Sequence, residues 1–301
     1  MPIDESRKGL LYALLAYGLW GTFPIYFKWV SHLPSLEVLG HRVVWATLFT
    51  ALVMTLLGQW RRRREQLLNR RLWLTLLISA ILIAANWGIY IYAVQINQVL
   101  SASLGYFMTP LVNVVIGVAL LGEKLDRFRM MAVVLAVLGV AYQVISLGQL
   151  PWIALSLAIL FGLYSAVRKK APVDTLTGLL METLLLLPLA LGYLAFIAQQ
   201  GESHFTADGN PSRLILVGVL TALPLLAFAA AAQRLSLIAL GFLTYLAPSI
   251  QFLLAVVVYD EPFGGDQMIS FLLIWAGLAV FSVGALQQQH RARKQRLAAA
   301  G

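Results

Sequence analysis

The chain has 301 residues, 60% hydrophobic and 12% charged, about half the charged share of a soluble domain, which is roughly 25%. This composition excludes an ordinary soluble protein and predicts an integral membrane protein. The absence of cysteine excludes a disulfide framework, a thiolate metal site and a cysteine nucleophile. The net charge of +9 is carried by short basic clusters between apolar runs, a pattern of topology signals and not of a nucleic-acid-binding face.

Ten runs are long enough to cross about 30 Å of hydrocarbon: 9–30, 35–58, 72–95, 99–121, 127–146, 151–168, 172–198, 212–233, 237–259 and 266–287. Arg7 and Lys8 precede the first run without a small-residue cleavage pattern, so it reads as a retained span and not a signal peptide. Trp20 and Pro24 interrupt its centre and Lys28 stands at its far end. The second span carries Glu37, His41 and Arg42 in its first turns, with Arg42 about 10 Å along the helix. Two readings of this cluster stand open. It binds an anionic solute group or relays protons, with Lys28 in reach, or it is a snorkelling structural ion pair.

The third span adds Asn86, Trp87 and Tyr90 near its middle. In the fourth, Tyr106, Thr109, Pro110 and Asn113 share one helical face. The seventh holds Glu182, about 15 Å from its start, which reads either as the best single candidate for a proton carrier or as a structural hydrogen bond to a neighbouring helix. In the ninth, Thr244, Tyr245, Pro248, Ser249 and Gln251 form a second polar, proline-bearing stripe. The two stripes are expected to meet and line a solute cavity, or else to act as hydrogen-bonding glue between helices. Pro24, Pro110, Pro224 and Pro248 mark expected kinks.

Gln95, Pro110, Glu123 and Gly139 recur 138 positions later as Gln233, Pro248, Glu261 and Gly277. The spacing indicates a duplication, and a unit of five spans forces the second copy to insert upside down. The expected fold is an all-α membrane protein of ten transmembrane helices, arranged as two inverted five-helix repeats. Residues 1–147 form the first, 148–289 the second, and 290–301 a basic cytoplasmic tail. Glu123 and Glu261 each precede a helix, and the positive end of the following helix is expected to favour them. With the N-terminus in the cytoplasm, 19 of the 22 Lys and Arg residues lie inside, leaving Lys28 and Arg213 outside and Arg42 within a span. The tail from His290 to Lys294 reads as a topology signal, or as an attractor of anionic lipid.

The ordered set of Trp20-Gly21 with Pro24, the segment Gly18 to Lys28, Glu37 with His41-Arg42, Pro110 before Gly122-Glu123-Lys124-Leu125, and Pro248 before Glu261-Pro262 resembles the EamA-type members of the drug/metabolite transporter superfamily, RarD-like proteins in particular. The resemblance covers nearly the whole chain. It implies a bacterial inner-membrane permease with a central cavity, exporting a metabolite or drug-like solute. The pattern departs where Gly162-Leu163-Tyr164 replaces a second copy of the Trp-Gly and proline motif, so the repeats are expected to contribute unequally to binding. No P-loop, HExxH or GxSxG is present, which disfavours ATP-driven transport and a membrane enzyme and leaves a secondary transporter, with no cofactor. A passive channel or a non-transporting assembly protein is the alternative. The expected partners are membrane lipid and a small-molecule solute, with no nucleic acid; protons and a homodimer remain open. Positive groups near the outer side suit an anionic or zwitterionic solute, and the aromatic and amide lining suits a neutral one.

Overall fold

The computed structural model describes residues 3–122, 126–206 and 210–298. Glu123, Lys124 and Leu125 lie outside the described residues, as do the side chains of Arg291, Arg293, Lys294 and Arg296. The first repeat comprises α1 (Ile3–Trp29), α2 (Ser35–Leu56), two short helices α3 (Gln59–Arg62) and α4 (Arg64–Leu68), α5 (Arg70–Gln95), α6 (Val99–Leu121) and α7 (Arg127–Leu147). The second comprises α8 (Trp152–Lys170), α9 (Thr175–Gln199), α10 (Asn210–Ala232), α11 (Leu237–Leu243), α12 (Leu246–Leu253), a π-helical turn (Leu254–Val258) and α13 (Gly265–Ala298). Ten candidate membrane spans result, each within a few residues of the expected run.

Helix starts follow local chemistry, because the first N–H groups of a helix have no partner within it. The side chains of Asn69, Asp126, Asp174 and Ser236 accept such N–H groups at the starts of α5, α7, α9 and α11. α6 ends at Gly122, whose φ of 66° is the left-handed conformation that a residue without Cβ adopts at least cost. Large apolar side chains such as Leu52, Leu74 and Leu189 are exposed, the inverse of a soluble surface and the face a membrane protein offers to lipid.

Of the expected proline kinks, Pro24, Pro110 and Pro224 lie inside unbroken helices. Only the ninth span is divided, at Thr244 and Tyr245. Pro248 has no N–H to give the carbonyl of Thr244, and the ladder resumes with Ser249 N–H donating to Tyr245 O at 3.1 Å.

The packing pattern reproduces itself when the halves are exchanged. α1 packs on α10 and α12, while α8 packs on α5 and α6; α2 meets α9, and α7 pairs with α13. The glycines fix the register of this symmetry. A Cβ at Gly139 would lie 3.0 Å from the Ser270 carbonyl oxygen, and one at Gly277 would lie 2.8 Å from that of Ala132. Gly277 and Ser270 stand 138 positions after Gly139 and Ala132, so each close approach is the copy of the other. Likewise Gly21 faces Ile250 and Gly162 faces Val112, a pair again 138 apart. Gly162, 141 positions after Gly21, makes a comparable close approach in the second repeat, without the aromatic and proline that surround Gly21.

Candidate functional site

One end of the bundle carries Lys28, Glu37 and Glu261, and the other carries Glu5 and Arg234. At the first end the halves are tied together. Glu261 accepts the N–H groups of Val99 and Leu100 at 2.7 Å each, which caps α6 of the opposite repeat. The expectation that the helix after Glu261 would hold its carboxylate is thus corrected. The attraction of a carboxylate to free N–H groups is real, but the helix is α6 and not α13. Burial pushes the Glu261 carboxyl above its ordinary value, against the pull of those two N–H groups and of Lys28.

Lys28 donates to Asn97 and lies over the Tyr259 ring, so it does not join Glu37 or His41 as expected. Glu37 is fully buried and is held by the 200–206 segment, through His204 N–H and Nδ1 at 2.8 Å and Ser203 Oγ at 3.4 Å. The same segment stacks Phe205 on His41, with ring centroids 4.8 Å apart, and on Trp45 one helical turn further. Both His41 nitrogens are buried without a hydrogen-bond partner. The Glu37, His41 and Arg42 cluster therefore divides, with Glu37 and His41 against this segment and Arg42 turned inward.

Arg42 is 4% exposed and has no ion pair among the described residues. Its guanidinium lies 4.1 Å from the Trp87 ring centroid, 5.7 Å from Phe27 and 5.8 Å from Phe23. These contacts are cation–π in kind. Beside them Asn86 is buried, donating to the Leu157 carbonyl at 3.1 Å and accepting from Tyr106 OH at 3.2 Å. Tyr90 packs against Phe27 and Tyr106. The third-span group, Tyr106 and Arg42 thus form one polar and aromatic centre among α1, α2, α5 and α6.

The remaining members of the two stripes do not enter it. Trp20 packs on Tyr17 and Phe228, and its carbonyl accepts from Gln251 Nε2 at 3.0 Å. Thr244 bonds Tyr17 at 2.9 Å and is exposed, as is Asn113. Pro24 and Pro248 are buried, while Pro110 and Tyr245 are half-buried. α6 packs along α12 and the π turn, whereas α11 packs on α1, α10 and α13. The expected stripes therefore meet at the Glu261 end and separate toward the Arg234 end.

Glu182 forms a second polar centre, nearer the Arg234 end. α9 starts at Thr175, which puts Glu182 about 10 Å along the helix and not 15 Å. It is not an isolated carboxylate. Ser79 donates to it at 2.6 Å, Tyr164 OH lies at 3.5 Å and Arg168 Nε at 3.7 Å. The Arg168 guanidinium fills the space a side chain at Gly178 would need, with Nη1 only 2.1 Å from an ideal Cβ there. Sequence reasoning assigned Arg168 to topology and missed Ser79, Tyr164, His204 and Phe205. The one available signal was the i, i+4 placement of Tyr164 and Arg168 on α8.

The sequence profile of the EamA-like transporter family matches residues 7–145 and 151–283, one match in each repeat. "Protein RarD" of Escherichia coli (strain K12) is 43% identical over 98% of this chain and 100% of its own. "Uncharacterized transporter YojE" of Bacillus subtilis (strain 168) is 40% identical over 94% of this chain and 96% of its own. "Chloramphenicol-sensitive protein RarD" of Pseudomonas aeruginosa is 32% identical over 93% and 94%. A solved crystal structure, 20% identical and covering 93% of this chain and 98% of its own, has the same fold at a TM-score of 0.58. With ten apolar helices in two matched repeats and relatives aligned almost end to end, the chain belongs to the EamA-like transporter family and is a multi-pass bacterial membrane transporter of small solutes.

Proposed function

We propose that the protein is a secondary transporter of the bacterial inner membrane that exports a small metabolite or drug-like solute by alternating access, with protons coupled through Glu182. Residues 1–147 and 148–289 are its two arms, and both termini are cytoplasmic. The observation that carries this reading is the inverted pair of repeats, tied at one end by Glu261 on α6 and at the other by Glu5 with Arg234 and Arg63 with Asp174. Such a pair can exchange the conformations of its halves and so reverse which end is closed. The basic clusters Arg61 to Arg64 and Arg168 to Lys170 lie at the Arg234 end, which supports placing that end in the cytoplasm.

Glu182 suits the coupling role because its carboxylate sits beside both a cation and a hydroxyl donor inside the bundle. Protonation removes the charge that holds Arg168 and frees α9 from α8. The test is transport in proteoliposomes of solutes first found by a thermal-shift screen. Accumulation that follows an imposed pH gradient, and that Glu182→Gln uncouples, is the expected result. Flux without accumulation would assign a channel, no flux would assign a non-transporting role, and an unaltered coupling ratio in Glu182→Gln would remove Glu182.

A further inference from the structure

Arg42 presents a chemical imbalance that the helix packing does not resolve. A cation buried at this depth is costly unless something answers its charge. Both carboxylates nearest in kind are occupied elsewhere, Glu37 by His204 and Ser203 and Glu182 by Arg168 and Ser79. The faces of Trp87, Phe27 and Phe23 approach the guanidinium, but a ring face accepts charge without satisfying the N–H donors at the edge. Among the described residues, Arg42 Nε is buried with no hydrogen-bond partner. The same holds for one further donor nearby. Tyr90 is 3% exposed and its hydroxyl has no partner among the described residues, whereas Tyr26 gives its hydroxyl to the Arg213 carbonyl and Tyr106 to Asn86. Tyr90 and Tyr26 both pack against Phe27, whose ring faces Arg42, and Tyr106 packs against Tyr90.

We propose that Arg42 and the Tyr90 hydroxyl recognise the carboxylate of an organic anion whose apolar or aromatic body rests against Trp87, Phe27 and Tyr106. The planar fork of a guanidinium matches the two oxygens of a carboxylate, and the Tyr90 O–H supplies a third donor. A cationic solute meets repulsion at this point. A neutral one leaves the buried charge unanswered. Selectivity thus comes from the imbalance itself, since a fully paired arginine would have no preference to express. This assignment rests on the transport reading, because only a solute that enters the bundle reaches Arg42.

The test is equilibrium binding of radiolabelled benzoate to the full chain in nanodiscs, with benzamide and benzylamine as neutral and cationic counterparts of the same shape. Benzoate is expected to saturate, and the other two to bind at least about tenfold more weakly, one hydrogen bond to a charged group being worth that or more. Arg42→Gln is expected to erase the preference for benzoate. Tyr90→Phe removes one hydroxyl and no volume, and is expected to weaken benzoate about tenfold while leaving benzamide unchanged. Equal binding of benzamide, absence of saturable benzoate binding, or benzoate affinity unaltered in both variants would overturn the assignment. Proteoliposome flux separates the two readings. Selective benzoate binding without flux upholds the anion site and ends the transport reading, whereas flux of neutral solutes untouched by Arg42→Gln upholds transport and ends the anion site.

Discussion

Replacing Gly218 by alanine tests the packing that supports the Arg42 centre. Gly218 lies on α10 where it crosses α2, and an ideal Cβ there would stand 2.4 Å from the Trp45 carbonyl carbon, 2.5 Å from its Cβ and 2.6 Å from its oxygen. These are backbone and near-backbone atoms, which cannot swing aside. Restoring ordinary contact, near 3.4 Å, requires α10 to withdraw from α2 by about 1 Å, an overpacking that costs about 3 kcal/mol. Alanine returns about 1 kcal/mol through its helix propensity, leaving a net loss of about 2 kcal/mol. For a chain of this length that is a fall of about 4 °C in the thermal midpoint. Gly192 on α9 is the control, because nothing lies within 4 Å of its ideal Cβ. Gly192→Ala keeps only the propensity gain of about 1 kcal/mol and should raise the midpoint by about 2 °C. The assay is differential scanning fluorimetry of the detergent-solubilised protein at one scan rate. Equal midpoints for the two variants would refute the close crossing of α2 and α10 and the reasoning built on it.

Gly178→Ala should keep the midpoint within about 2 °C of the parent, because the group it displaces is the flexible end of Arg168. Proton-driven accumulation should nonetheless fall about tenfold, a loss of about 1.4 kcal/mol in coupling; accumulation at the parent level would show that the Arg168 to Glu182 contact is not needed. Gly139→Ala and Gly277→Ala should destabilise by similar amounts, about 1–2 kcal/mol each, since their close approaches are copies. Denaturant titration that finds one costly and the other neutral would break the proposed equivalence. Glu261→Ala removes the acceptor of the Val99 and Leu100 N–H groups, and hydrogen exchange in that peptide should accelerate at least about tenfold. Unchanged protection there would mean that another group caps α6.

The spans were legible in the sequence because crossing hydrocarbon imposes a length and a composition that hydropathy reads directly. The repeat was legible because Gln95, Pro110 and Gly139 keep one spacing with Gln233, Pro248 and Gly277. What hydropathy does not hold is the lateral position of one helix beside another. Hence Glu261 was matched to the helix that follows it in the chain, when its carboxylate crosses to the other repeat. The partners of Glu182 were not legible for the same reason, since Arg168 reaches it from α8 and Ser79 from α5. The loop that holds Glu37 could not be anticipated, as its composition carries no periodicity. Asn86, Trp87 and Tyr90 stood out as one set and Tyr106 as a member of the fourth-span stripe, because polar and aromatic groups at mid-span contrast with leucine and valine. Thr244 and Asn113 stood out equally, yet they are exposed, so polarity alone does not distinguish the two outcomes.

The scaffold is symmetric where it packs and asymmetric where it carries charge, and this division bears on direction. The position 138 after Arg42 is Leu180, and the position 138 before Glu182 is Val44. Neither charged centre has a counterpart, although both lie seven residues from the start of their helices and therefore at like depths from opposite ends. On the proposed mechanism, matched packing such as the Gly139 and Gly277 contacts would give the two half-exchanged conformations similar energies. The charges then decide how each is populated. A cation without an ion pair among the described residues lies toward the Glu261 end, and an ion-paired carboxylate toward the Arg234 end. An anion on Arg42 lowers the energy of the states that enclose it, and a proton on Glu182 lowers the energy of those in which Arg168 is released. On the proposed mechanism the two events act on different repeats, and a solute and a proton move in opposite senses only where binding of one opposes binding of the other.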